Sequence, residues 1–181
     1  MRRAAVFSLA LLLSACGGGS SRGGFFDRMF SGSSAEVLTC PEVTKVGDAA
    51  KLTRFVAGGR DLTDVAFEAA VGKIGGNCSH GDGSIDVQLT VEFIASRGPA
   101  DKTRKAPFNY FVAIVDRNEN ILAREQFDTG IGFPGNQTRN AITEDLEENI
   151  PIQKGQQGNQ FRVFIGFVLT PEEVAYNRAH P

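Results

Sequence analysis

The chain has 181 residues, 19 Lys and Arg against 21 Asp and Glu, and a formal charge of −2. It has no large basic block, so a nucleic-acid partner is not expected. Phe is abundant (14), Trp is absent and Met is rare, so phenylalanine must supply the large apolar surfaces of any core.

The first element is MRRAAVFSLALLLSACGGGS. Arg2 and Arg3 give a positive start, and Ala4 to Leu13 form an apolar run of about ten residues. That is about half of what a helix needs to cross a bilayer, and it fits the apolar region of a secretory signal. Leu13-Ser14-Ala15-Cys16 resembles the lipobox of bacterial lipoproteins. The resemblance implies cleavage just before Cys16, a diacylglycerol on its thiol and usually a third acyl chain on the new amino group. The residue types suit that chemistry, since a thiol can be alkylated and small neighbours leave the backbone accessible. One acyl chain anchors only marginally, whereas three on one residue make release negligible. Gly17 and Gly18 stand where an aspartate often marks inner-membrane retention in enteric relatives. The resemblance therefore implies the outer membrane rather than the inner one, with the protein facing the periplasm.

Removal of residues 1–15 takes two arginines and leaves 166 residues with a side-chain charge of −4. Residues 16–39 are rich in Gly and Ser and read as a flexible tether, spanning about 25–30 Å as a coil. Within it, Phe25-Phe26-Asp27-Arg28-Met29-Phe30 could dip into the membrane interface, dock on a partner or fold back on its own domain. With Cys16 lipidated, Cys40 and Cys78 remain, and two cysteines in an oxidising compartment suggest one disulfide. Two reduced, buried thiols are the alternative.

Residues 40–181 read as a β-sandwich domain. The main period is two, the signature of half-buried strands. It is clearest at Ile85 to Phe93, where Ile85, Val87, Leu89, Val91 and Phe93 alternate with polar residues. Lys51 to Ala57 is a first strand. Asp64 to Ile74 is a second, ending at Gly75-Gly76. Pro107 to Asp116 is apolar on both sides and suits a central strand. Arg117 to Asn120 reads as a hairpin turn with asparagine in the left-handed region, and Ile121 to Phe127 returns antiparallel. Ala141 to Ile152 is helix or strand by period. A charged edge strand is preferred, because acidic residues discourage edge pairing. Phe161 to Leu169 is the last strand, with Gly166 permitting close packing on one face. Thr170-Pro171-Glu172-Glu173 matches a capping box and predicts a helix from Pro171 to near Arg178. Val174 and Tyr176 would pack it on the sandwich, and Tyr176-Asn177-Arg178 could also face a partner. The expected fold is all-β: about seven antiparallel strands in an immunoglobulin- or fibronectin-like sandwich with a short C-terminal helix. The likeness is architectural, and a small barrel is the alternative.

The chain lacks the G-x-S-x-G of a nucleophile elbow and the Lys-Ser/Thr of a phosphate-binding loop. His80 and His180 are the only imidazoles. Cys78-Ser79-His80 has no second pair at metal-ligand spacing. Asp82 and Asp86 lie in a Gly-rich hairpin, too poor in oxygens for a calcium loop. Glu144-Asp145 and Glu147-Glu148 could be paired catalytic carboxylates, but such runs are usually a solvated face. No catalytic residue, metal or cofactor is expected. The partners expected are the lipid bilayer, through acylated Cys16, and another envelope protein. A non-enzymatic binding or assembly module is the leading reading. An envelope hydrolase using His80 or the carboxylates, or a carrier with a deep apolar pocket, are the alternatives.

Overall fold

The structure is a computed structural model and describes residues 38–181. The lipobox, Cys16 and the Phe25–Phe30 patch lie outside the described residues.

Two four-stranded sheets face each other. One holds β1 (Glu42–Lys45), β8 (Arg162–Phe167), β5 (Lys105–Val115) and β6 (Ile121–Gly132), in that order. The other runs β2 (Lys51–Phe55), β3 (Val65–His80), β4 (Ser84–Arg97), β7 (Arg139–Pro151). A helix, α1 (Pro171–Ala179), closes the chain. The sandwich is the one the alternation predicts and the terminal helix the one the capping box predicts, with eight strands among the described residues in place of about seven. The extra strand is β1, too short at four residues to show a period. It pairs in parallel with β8, Glu42 opposite Arg162, the one parallel pairing among the described residues. The immunoglobulin likeness is one of architecture, two packed sheets, and rests on no shared strand order.

Inward residues of β4 and β5 fill the space between the sheets. Ile85, Val87, Leu89, Val91 and Phe93 come from β4, and Phe108, Tyr110, Val112 and Ile114 from β5, all buried. Phe93 is 0% exposed and joins the sheets. Its ring centroid lies 4.7 Å from Tyr110, 5.3 Å from Phe108 and 5.8 Å from Phe167, all three on the opposite sheet. Phe108 meets Phe167 edge-on at 5.1 Å. Such tilted and edge-on contacts add to simple burial. With no Trp in the chain, these rings do the bridging.

Two local expectations need correction. Gly75-Gly76 does not end β3. A register shift between Val71 and Ile74 absorbs a bulge, and the strand runs on to His80. Gly76 lies so close to β4 that a Cβ there would stand 2.4 Å from the Gln88 carbonyl oxygen, so its glycine serves a close backbone approach. The β5–β6 turn is also built differently. Asp116 organises it, its Oδ1 accepting the N–H groups of Asn118 (2.8 Å) and Asn120 (2.9 Å). The left-handed residue is Glu119, at φ 65°, rather than an asparagine.

Gly166 is as tight as its place in β8 predicts. A Cβ there would meet Ala49 Cβ at 3.0 Å and the Phe111 ring at 3.2 Å.

The loop between β4 and β5 turns on Asp101. Its carboxylate accepts from Arg97 Nε (2.6 Å), Thr103 N (2.7 Å) and Arg104 N (3.0 Å). Arg104, at φ 55°, donates Nε and Nη2 to the Phe133 carbonyl and Nη2 to that of Gly135, which holds this left-handed residue in place. Burial disfavours the Asp101 charge, but Arg97, Thr103 and Arg104 outweigh it and hold the carboxyl at about 2. A pKa below the unfolded value contributes stability above about pH 4, lost as pH falls through the folded value. Asp101→Asn is expected to cost about 1–2 kcal/mol at pH 7, after allowance for the solvent that reaches this loop. The deficit should shrink from pH 4 towards pH 2, as read by urea unfolding at each pH.

Candidate functional site

The terminal helix forms as its capping box dictates. Glu173 N–H donates to Thr170 Oγ1 (3.2 Å), and Thr170 N–H donates to Glu173 Oε2 (2.9 Å). Nine residues alone are too few for a stable helix, and tertiary contacts hold it. Asn177 Nδ2 donates to the carbonyls of Asp48 (2.8 Å) and Lys51 (2.7 Å), and Arg178 Nε donates to Asp48 Oδ2 (2.6 Å). Tyr176 meets Phe55 of β2 edge-on at 5.2 Å. Two of the three residues considered for a partner, Asn177 and Arg178, are thus spent on docking the helix.

Between the helix, β2 and the following loop lies an open groove of about 660 Å³. Thr53, Phe55, Arg60, Leu62, Tyr176 and His180 line it. Leu62 is 76% exposed. His180 stacks on Tyr176 at 4.1 Å, and its Nδ1 lies 2.9 Å from the Tyr176 carbonyl. Arg54 Nε stands 3.1 Å from Glu173 Oε1 as an ion pair, yet its hydrogen is not aimed at any acceptor among the described residues. The groove combines an apolar, aromatic floor with Arg60 and His180 on one hand and Asp61, Glu172 and Glu173 on the other. Such a surface can take up an apolar side chain or ring and steer a polar neighbour. Among the described residues no serine, threonine or cysteine hydroxyl or thiol is hydrogen-bonded to His180.

The other sequence candidates fall elsewhere. Cys40, just before β1, and Cys78, on β3, stand at disulfide distance, with Cα atoms 5.7 Å apart. That bond would tie one sheet to the other. His80 ends β3 with Nε2 3.1 Å from the Thr39 carbonyl oxygen. Asp86 accepts from Asn149 Nδ2 across the β4–β7 pair. Among the described residues no three His, Cys, Asp or Glu side chains are grouped to hold a metal ion.

The acidic run of β7 is split by the pleat. Its register with β4 sets Glu144 and Glu148 on the inner face, opposite Val91 and Val87, and Asp145 and Glu147 on the outer one. Neither adjacent pair therefore shares a face. Glu144 accepts from Thr129 Oγ1 of β6 at 2.8 Å, joining the two sheets at their open side. Burial, with Glu144 adding to it, pushes the Tyr110 hydroxyl up to about 12. Glu148 is 7% exposed. Burial raises its carboxyl above the usual range, and Glu125 of β6 adds to the effect. A raised carboxyl pKa penalises the folded state above that pKa, and the penalty fades as pH falls. Glu148→Gln is expected to stabilise by about 1 kcal/mol at pH 7 and by much less at pH 4, as urea midpoints at the two pH values will show.

The groove itself was not legible in the sequence. Phe55 and Leu62 lie more than a hundred residues from Tyr176, and only the helix cap and Tyr176 were visible signals. Comparison with protein-family models, with characterised proteins and with solved structures finds no match to this chain.

Proposed function

We propose that this chain is a membrane-anchored lipoprotein facing the periplasm. Its sandwich is a non-enzymatic binding or assembly module of the cell envelope. The observation that carries this reading is the order of basic start, short apolar run, small residues and Cys16 at the head of the chain. Three features accord with it. Gly- and Ser-rich residues separate Cys16 from the folded domain, which is described from residue 38. Cys40 and Cys78 stand where an oxidising compartment would join them. The groove under the helix is a concave surface with an aromatic floor and charged side chains at its rim.

Acylated Cys16 is the contact with the bilayer, and the tether carries the domain clear of the headgroups. Gly17 and Gly18 after the cysteine, where an aspartate would favour inner-membrane retention, support an anchor in the outer membrane. The partner is another envelope protein.

Growth with an alkyne-bearing palmitate analogue tests the anchor. The wild-type chain is expected to take up the label and fractionate with outer membranes on a density gradient. Cys16→Ala should lose the label and leave the membrane fraction. An unlabelled wild-type chain overturns the anchor. A labelled chain in the inner-membrane fraction overturns only the sorting.

A further inference from the structure

Of the four sheet edges, β1 and β2 are short, at four and five residues, and α1 docks beside β2. The outer face of the β7 edge carries Asp145 and Glu147, charges that discourage edge pairing with a copy of itself. The β6 edge is different. It is twelve residues long, contains neither Lys nor Pro, and is exposed over Ile121–Gln126; its one bulge, with Leu122 as the extra residue, lies at the start of the strand and leaves Ala123–Gly132 in regular register with β5. Ile121 and Leu122 are 64% and 53% exposed, unusual for large apolar side chains on an edge.

The direction of its free backbone groups follows from β5. The Asn109 carbonyl accepts the Val168 N–H on the β8 side. In an antiparallel strand the N–H and C=O of one residue point the same way, and the direction alternates along the chain. Phe108, Tyr110 and Val112 therefore turn their backbone to β6, where they face Thr129, Phe127 and Glu125. Arg124, Gln126 and Asp128 are left with their N–H and C=O groups pointing out of the sheet. Their side chains share the sheet's outer face with those of Phe111 and Asn109.

We infer that β6 pairs with β6 of a second copy of this chain, antiparallel about a two-fold axis at Gln126, to make one continuous eight-stranded sheet. In this register Arg124 of each copy faces Asp128 of the other, so the outer face gains two opposite-charge pairs. The exposed groups of Arg124, Gln126 and Asp128 exchange about six hydrogen bonds. The neighbouring same-face registers lack this fit. Centring on Arg124, Glu125 or Asp128 sets like charges on each other, and centring on Phe127 leaves Arg124 opposite Gly130. Both charges remain available for the contact. The Arg124 guanidinium lies 4.5 Å over the Phe111 ring and Asp128 Oδ1 accepts from Asn109 Nδ2, but neither forms an ion pair among the described residues.

The proposal does not depend on acylation of Cys16, and the full chain in detergent tests it. Directly opposite residues of a hydrogen-bonded antiparallel pair have Cα atoms about 5.5 Å apart, within disulfide reach. Gln126→Cys is expected to give a covalent dimer on mild oxidation, with the peptide Glu125–Arg139 linked to itself by mass spectrometry. Asn149→Cys on the β7 edge and the unaltered chain should not. Added to Gln126→Cys, Arg124→Asp or Asp128→Arg alone should each cut the dimer about tenfold, because both symmetric pairs turn repulsive. The two together should restore it, and circular dichroism checks that each variant is folded. A Gln126→Cys dimer no more abundant than that of Asn149→Cys overturns the proposal. So does a folded double variant that crosslinks no better than the singles.

Discussion

Phe93→Ala is expected to destabilise the domain by about 3–5 kcal/mol, the range for emptying a buried aromatic site. The ring is fully buried and touches three aromatic rings of the facing sheet, Phe108, Tyr110 and Phe167. Its loss removes transfer energy and also leaves a cavity, because the rigid strands on both sides cannot collapse into it. The urea midpoint should fall sharply with little change in slope. Phe164→Ala is the contrast. Phe164 is only half-buried on the outer face, where the Arg162 guanidinium lies 5.3 Å from its ring centroid, so its truncation should cost well under half as much. Equal losses at the two positions would mean that Phe93 does not join the sheets.

The second large effect concerns Cys40 and Cys78. Their separation is 38 residues, and closing such a loop contributes about 4 kcal/mol in the chain-entropy account, within an observed range of about 2–5. Cys78→Ser should lower stability by that amount. Dithiothreitol added to the oxidised wild-type chain should reproduce the shift and leave the variant unchanged. β1 should suffer first, since it has four residues and a single neighbouring strand, β8. A wild-type midpoint indifferent to reductant would show that the two sulfurs, though within bonding distance, are not joined.

The strands that were legible are those whose neighbours demand strict alternation. β4 buries one face only, so Ile85 to Phe93 announce it. β7 was ambiguous by period, and its acidic residues pointed correctly to an edge. They said nothing of direction, and the register with β4 sends Glu144 and Glu148 inward, where Glu148 is buried beside a like charge. Gly75-Gly76 predicts too short a β3, because a glycine pair usually ends a strand. Here the bulge before Ile74 and the contact of Gly76 with the Gln88 carbonyl give the pair a structural use. The helix was legible to within a residue, since a capping box satisfies its own backbone groups with local side chains.

An all-β body, a terminal helix, the hairpin between β5 and β6 and the candidates for a disulfide can all be read along the chain. These depend on side-chain period and on contacts a few residues apart, which a linear string displays. Long-range packing sets which strands share a sheet, that β1 joins β8 in parallel, and that Phe55 and Tyr176 form one groove. It also leaves the backbone of β6 open beside Arg124 and Asp128. Those are pairings across tens of residues, selected by how two twisted sheets bury their rings against each other, and no local pattern encodes them.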